Sequence, residues 1–428
     1  MRLPVCICLH RNRDRQARML ISSGSHAICV ETRMVCIFTQ KAWERETKKR
    51  DKVFMLSKLY IDQYVVDYPL VKSIQTSIDL PFEIVQDAKS VFEKILAADD
   101  PVQEGKKILF LTQNRGDFVR KCPGTRYYTC CNYKILHIGT FCSMDCSYCI
   151  LQSYFHPPVL QFFVNHERLL TELDNLFAEK RICRIGTGEF TDSMIWEWWT
   201  SLSSILVPRF SGQYHAVLEL KTKTAVIESL KGLRHNRKTI MAWSLNTDEV
   251  IRNQERHTAS LTARLKAAAQ CESWGYPIAF HFDPIIIYDG CEKEYKQVVK
   301  QLFTCVSPEN IVWISLGTFR FMPSLKSNIQ KRFPNSTIIC GEFIQGLDGK
   351  MRYFKPIRIA FYNKIVSWIK EIAPDLVVYF CMEDDEVWKK SMGFIPSERG
   401  GLPKMLDESA ARHCLLALPE EREQSSSR

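Results

Sequence analysis

Phe141-Cys142-Ser143-Met144-Asp145-Cys146-Ser147-Tyr148-Cys149 carries three cysteines on one short loop in CxxxCxxC spacing. Iron–sulfur clusters are normally held by four thiolates, and no further cysteine follows until Cys183. Three thiolates of one loop leave one iron of a cubane open to a small molecule. A zinc loop is the competing reading, but zinc motifs usually come as two CxxC-like or His-containing halves, and no second half exists here. Upstream, residues 135–141 form an apolar, strand-like run, which predicts a cysteine loop at a strand end.

Outward from the loop, apolar runs alternate with amphipathic stretches, the signature of βαβ units around a parallel sheet. Strands are expected at 135–141, 182–187, 216–220, 239–245, 278–284 and 311–317, and helices at 167–177, 193–206, 261–274 and 292–304. Runs at 337–341 and 376–382, with a helix at 357–372 between them, extend the pattern, and no internal repeat is present. The predicted fold class is therefore α/β, an incomplete (β/α)6-type barrel with extra C-terminal strands and helices. Barrel enzymes place their chemistry at the C-terminal ends of the strands. Where these runs stop, the chain reads Gly186-Thr187-Gly188-Glu189, Glu219-Leu220-Lys221-Thr222-Lys223, Ser244-Leu245-Asn246 and His281-Phe282-Asp283-Pro284.

The 428 residues carry a net charge of +10, unevenly spread. Residues 1–54 hold 12 Lys and Arg against 5 Asp and Glu, so +7 of the total sits there. That segment lacks periodicity and reads as a poorly ordered basic extension, with a nucleic-acid-binding arm as its functional alternative. A second basic region, 314–358, contains Arg320, Lys326, Lys331, Arg332, Lys350, Arg352, Lys355 and Arg358 against Glu342 and Asp348, and is the expected contact for DNA. The remaining organisation is an N-terminal region at 55–130, the barrel at 131–385, and a C-terminal helix and disordered tail at 386–428, with disorder expected from Ser397 onward. Seventeen cysteines in a long chain without a signal peptide read as reduced and cytoplasmic. No apolar run is long enough to span a bilayer, and a monomer is expected. Cys340 and Cys381 lie in apolar runs and read as small core residues, whereas Cys122, Cys130 and Cys131 lack a clear fourth ligand for a second metal.

The ordered blocks SYCILQ (147–152), RIGTGEFTDS (184–193), ELKTKT (219–224), SLNTDEVIRNQERHTASLTARL (244–265), GYPIAFHFDPIIIYDG (275–290), ISLGTFRF (314–321) and GEFIQGLDGKMRYF (341–354) resemble the spore photoproduct lyase family of radical S-adenosylmethionine enzymes. The likeness begins at Lys58-Leu59-Tyr60-Ile61-Asp62, just after Met55, so initiation at Met55 is one reading of the upstream segment. The resemblance implies a [4Fe–4S] cluster on Cys142, Cys146 and Cys149 and S-adenosyl-L-methionine at its open iron. It assigns the methionine amino group to Gly188 and Glu189, the methionine carboxylate to Lys223, and a further contact with this ligand to Ser244. Glycine lets backbone carbonyls approach, and ammonium and carboxylate want charged or hydroxyl partners. Tyr148, Asn246, His281 and Asp283 are the candidate catalytic or substrate-facing residues.

The implied chemistry is cleavage of S-adenosylmethionine to a 5′-deoxyadenosyl radical that abstracts hydrogen, with a thymine photoproduct in DNA as the family substrate and flavodoxin or ferredoxin as reductant. Two positions depart from the family pattern. Glu189 stands where the family carries the cysteine that returns a hydrogen atom, and Ile150 stands where it carries a tyrosine. Radical chemistry on a non-DNA substrate, and a non-catalytic cluster protein that binds nucleic acid, are the alternatives.

Overall fold

The computed structural model describes residues 56–124 and 127–417, which belong to one compact unit. The extension at 1–54 and the closing run at 420–428 fall outside the described residues. A smaller sheet contains β1 (Lys58–Asp62), β2 (Phe82–Val85), β3 (Ile108–Thr112), β6 (Gly139–Thr140) and β8 (Leu160–Phe163) in the order β2-β1-β3-β8-β6, parallel except for β6. A larger sheet joins β4 (Val119–Lys121), β5 (Lys134–Leu136), β9 (Cys183–Gly186), β10 (Ala216–Thr222), β11 (Thr239–Ser244), β13 (Ile278–Ile285), β14 (Ile311–Thr318) and β18 (Val378–Phe380). Its order is β18-β14-β13-β11-β10-β9-β5-β4, parallel except for β4.

Register sorts the larger sheet into two faces. Glu219 lies opposite Gly186, Lys221 opposite Ala242, Ser244 opposite His281, His281 opposite Ser315, and Ser315 opposite Tyr379. Side chains alternate along a strand, so Leu218, Leu220, Met241, Trp243, Phe280, Phe282, Ile314 and Leu316 point the other way, and all are buried. Helices such as Leu261–Ser273 cover that outer face. The sheet must also curl. Glu219 on β10 accepts hydrogen bonds from His281 on β13 at 2.9 Å and from Trp313 on β14 at 3.2 Å, whereas a flat sheet would set β10 and β14 roughly 14 Å apart. The polar face is thus the concave lining of a half-barrel, as the strand pattern predicts.

Four expectations need correction. The 135–141 run is not one strand: β5 joins the larger sheet and β6 the smaller, with His137 N–H donating to Phe118 O and Ile138 O accepting from Phe163 N between them. Its unbroken hydrophobicity reflects burial against both sheets. The helix at 193–206 breaks into Glu197–Thr200 and Ser203–Ser211 around Ser201, whose φ of 46° is left-handed. Residues 337–341 form a turn, their apolar signal coming from buried Ile338 and Ile339, and Cys340 is exposed. The chain beyond Ser397 forms helix Leu402–Cys414, which buries Leu402, Leu406, Ala410 and Cys414 at four-residue spacing. Arg184 of β9 pairs with Asp407 at 2.6 Å, and Ser409 donates to Val312 O at 2.5 Å, which ties this helix to the barrel.

Candidate active site

The cysteine loop is pinned from three directions. It starts at Phe141, whose φ of 70° is left-handed for a bulky residue. From the smaller-sheet side, Lys106 donates to Cys142 O at 2.9 Å and to Met144 O, lies 3.7 Å from Asp145, and sits 4.5 Å from the Phe141 ring centroid. Arg332 reaches the same Asp145 at 2.9 Å, and also Gln152 at 2.9 Å and Asp100 at 3.0 Å. From the barrel side, the short strand β7 (Asp145–Cys146) pairs antiparallel with β12 (Glu255–Arg256). Ser147 donates to the Gln254 carboxamide at 2.6 Å, and Tyr148 OH donates to Glu255. Glu255 in turn meets Arg264 at 2.5 Å, both side chains essentially without solvent exposure. Burial pushes the Glu255 carboxyl up, but Arg264, Lys223 and Tyr148 outweigh it and hold it below its ordinary value.

Beside this loop, the residues assigned to S-adenosylmethionine keep their polar ends free. Among the described residues the Glu189 carboxylate, the Lys223 ammonium and the Ser244 hydroxyl take no hydrogen bond or ion pair from other side chains. Lys223 Nζ lies 5.9 Å from the Tyr148 ring centroid, and its backbone N–H is held by Asp192 at 2.8 Å. Asp192 also accepts from Thr222 at 2.8 Å and from Met194 N at 2.9 Å, while burial pushes its carboxyl up. A β-carbon at Gly188 would stand 3.0 Å from Lys221 Cβ and 3.1 Å from Ser193 Oγ, so any larger residue would have to push one of these neighbours back by a few tenths of an ångström.

The residues ranked as substrate-facing behave differently. His281 bonds Ser315 through Nδ1 at 2.6 Å and Glu219 through Nε2 at 2.9 Å, so both ring nitrogens are engaged. Asn246 donates to Pro284 O at 2.9 Å and to Glu255 at 3.3 Å, and accepts from Tyr295 at 2.5 Å. Asp283 pairs with Arg320 at 3.3 Å but stays partly exposed. Below them, Tyr133 donates to Glu219 at 2.6 Å. Burial raises the Glu219 carboxyl, yet His281, Lys221 and Tyr133 hold it down to about 2. Cys381 belongs to this lining and not to the core: its Sγ lies 3.5 Å from Arg320, and burial pushes its thiol up to about 11.

The 314–358 segment is far less cationic at its surface than its composition suggests. Arg320, Arg332, Arg352 and Arg358 are largely buried against Asp283, Asp100 with Asp145, Asp348 and Glu383, and Lys350 and Lys355 are also paired. Lys326 and Lys331, on helix Pro323–Arg332, are exposed.

The profile of the family described as spore photoproduct lyase matches residues 123–353, more than half of the chain. This chain belongs to the spore photoproduct lyase family. Family relatives include the spore photoproduct lyase of Clostridium acetobutylicum, 26% identical over 309 residues (70% of this chain and 87% of the relative). That of Bacillus subtilis is 24% identical over 344 residues, covering 76% and 98%. A solved spore photoproduct lyase, a cysteine-to-alanine variant with dinucleoside spore photoproduct, superposes with a TM-score of 0.68 at 22% identity, covering 76% of this chain and 99% of that one. A second, with bound S-adenosylmethionine and dinucleoside spore photoproduct, gives 0.66 at 21%, covering 76% and 98%. The half-barrel is thus the family fold, and the chain is an enzyme of the radical S-adenosylmethionine class.

The cysteine loop suits the cluster of that class. Among the described residues no three His, Cys, Asp or Glu side chains are grouped for one metal ion, but a cubane spreads its cysteine ligands over separate irons. Burial pushes Cys142 up to about 12, with Lys106 opposing, and raises Cys146, with Lys223 opposing. Cys142 and Cys149 both act electrostatically on Cys146, so the three sulfurs share one neighbourhood. Ligation requires thiolates, and two lysines stand ready to offset their charge. Sequence reasoning missed Lys106, Arg332, Asp192, Glu255 and Arg264. Asp192, Glu255 and Arg264 fall inside quoted blocks, whereas Lys106 and Arg332 reach the loop from distant segments with no local signal. Among the described residues no helix is long and apolar enough to cross a membrane.

Proposed function

We propose that this member of the family holds a [4Fe–4S] cluster on Cys142, Cys146 and Cys149, binds S-adenosylmethionine beside it, and acts on a thymine photoproduct in DNA. The observation that carries the reading is the set of free polar ends, Glu189, Lys223 and Ser244, next to a triply pinned cysteine loop. When bound, cluster and S-adenosylmethionine supply a 5′-deoxyadenosyl radical for hydrogen abstraction. The chain contributes placement. Glu189 accepts the methionine ammonium where Gly188 permits close approach, Lys223 pairs with the carboxylate, and Ser244 donates its hydroxyl. Tyr148 backs this pocket under Lys223, Asn246 and His281 brace its floor, and Asp283 is the residue of that group a substrate can reach.

The substrate class rests on curated relatives named spore photoproduct lyase and on similar solved spore photoproduct lyases, three of which hold dinucleoside spore photoproduct. DNA contact is assigned to Lys326, Lys331 and the hairpin of β16 (Phe343–Gln345) and β17 (Met351–Tyr353), where Ile344 and Leu347 are exposed. Hydrogen return needs a donor that Glu189 cannot be; Cys381 and Cys122 are thiols that share the neighbourhood of Glu189 and Lys221, and Cys381, which lies against Arg320 in the lining, is the donor assigned. An S–H bond is weaker than an ordinary C–H bond, so Cys381 can give its hydrogen atom to a product carbon radical. The Cys381 thiyl then regains hydrogen from a solution thiol, and two of the resulting solution thiyls couple to a disulfide, so each turnover consumes one reductant electron and one S-adenosylmethionine. Electrons come from a flavodoxin- or ferredoxin-type reductant, and the working form is a cytoplasmic monomer.

The second reading, the same radical chemistry on a smaller polar substrate, is favoured by Glu189 beside Lys221. Burial lowers the Lys221 pKa, but Glu189, Glu219 and Asp283 raise it beyond its ordinary value, which makes the mouth strongly charged. The test is anaerobic reconstitution and reduction with S-adenosylmethionine, with and without an oligonucleotide bearing the spore-type thymine dimer. Restoration of the two adjacent thymines in the oligonucleotide, lost in Cys142→Ala, supports the first reading; 5′-deoxyadenosine without repair turns the search to the second.

A further inference from the structure

A cavity of about 360 Å³ opens away from the cysteine loop, at the C-terminal ends of the smaller sheet. Its size falls within the range of small-molecule sites, roughly 300–1,000 Å³. The strand order β2-β1-β3-β8 makes β1 and β3 neighbours whose onward connections run to opposite sides, because the chain passes from β1 to β2 and then back across β1 to β3. Such topological switch points leave a crevice outside the strand ends, where open α/β sheets bind ligands.

The lining narrows the chemistry. Gln86, Gln113 and Gln161 present carboxamides, Tyr64 a ring that is 62% exposed, and Arg115 an exposed guanidinium. Among the described residues none of these five side chains takes a hydrogen bond or ion pair, although other polar residues of the wall are engaged: Asp62 holds Thr112 at 2.9 Å, and Asn114 holds Gly116 N at 3.1 Å. An apolar ligand would strand those carboxamides. A bare anion finds no helix terminus, because the start of helix Ala88–Leu96 is already capped by Asp87, which accepts from Lys89 N at 2.9 Å. A flat, neutral, hydrogen-bonding ring system with one negative group fits both restrictions. Carboxamides match the paired donor and acceptor of an adenine edge, an exposed tyrosine ring offers a stacking face, and a guanidinium takes phosphate. Asp87 stands at the end of β2, where dinucleotide folds place the acid that reads ribose, but no glycine-rich loop follows β1 to cradle a pyrophosphate.

We propose that this crevice binds a single adenine-type nucleotide, base against Tyr64 and the glutamine carboxamides, phosphate at Arg115. The same chemistry is met in a free mononucleotide and in one residue of a DNA strand, and the test separates them. Full-length reconstituted protein is titrated calorimetrically with adenosine 5′-monophosphate and separately with a ten-residue oligo-dA, each without S-adenosylmethionine, whose own adenine would compete for the crevice. Tyr64→Ala and Arg115→Ala are compared with the parent, with melting temperature and S-adenosylmethionine binding as controls for folding. Mononucleotide binding weakened about tenfold by each variant supports a free nucleotide. Oligonucleotide binding weakened by both, with no mononucleotide binding, supports a nucleotide of the strand. Absence of binding, or affinities that ignore both variants in folded protein, overturns the proposal.

Discussion

The rim of the half-barrel beside the cysteine loop and the floor beneath it are built from similar residue types and handled in opposite ways. At the rim, among the described residues, the side-chain polar ends of Glu189, Lys223 and Ser244 take no hydrogen bond or ion pair from other side chains. On the floor, Glu219, His281 and Ser315 answer one another at 2.6–2.9 Å, and Asn246 is engaged at both ends of its amide. A buried polar group without a partner is costly, so the closed networks of the floor are scaffold, whereas the ends left free at the rim stay open to a ligand.

The contrast breaks most visibly if scaffold is disturbed. Arg264→Ala leaves Glu255 buried without its ion-pair partner, with only Tyr148 and Asn246 still donating to it, so unfolding free energy in urea should fall by about 3 kcal/mol; a loss under about 1 kcal/mol would show that the pair does not pin the loop. Next in size is the pH response of Glu219. Its folded carboxyl titrates at about 2 against ~4.3 when unfolded, so its stabilisation is present above the ordinary carboxyl range and is lost as pH falls from there toward 2. The amount is on the order of 3 kcal/mol, and Glu219→Gln should flatten that part of a stability-versus-pH curve. Rim residues should do the reverse. Lys223→Met should lower stability much less than Arg264→Ala, by about 1 kcal/mol or less because Lys223 supplies only part of the charge that holds Glu255, while weakening S-adenosylmethionine binding about 10- to 100-fold, read by equilibrium dialysis. The smallest effect concerns the surface: replacing both Lys326 and Lys331 by alanine should lessen the salt dependence of DNA binding by about one unit of slope per lysine. Arg352→Ala, by contrast, should register mainly as lost stability, because its guanidinium is buried against Asp348.

The rim was legible in the sequence because strand ends announce themselves: glycine, hydroxyl and charge interrupt apolar runs at Gly188, Lys223 and Ser244. The floor was not. Glu219 sits inside a strand, and alternation alone cannot tell a concave polar lining from a solvent face; the curl of the sheet decides, and curl is not written in one strand. Likewise the run 135–141 reads as one strand because both sheets bury it. The 314–358 segment overstates its surface charge because the carboxylates that neutralise Arg320, Arg332 and Arg358 come from Asp283, Asp100 with Asp145, and Glu383, each outside that window. Composition counts charges within a window, whereas ion pairs form across it.

Lys106 precedes β3 in the smaller sheet, yet its ammonium holds two carbonyls of the cysteine loop. A barrel-only fragment cut at residue 131 would therefore lose part of the loop's support along with the smaller sheet. Any attempt at a minimal catalytic unit has to carry the smaller sheet with it, and substitutions at Lys106 should be read as changes to the cysteine loop although they lie 36 residues from its first cysteine.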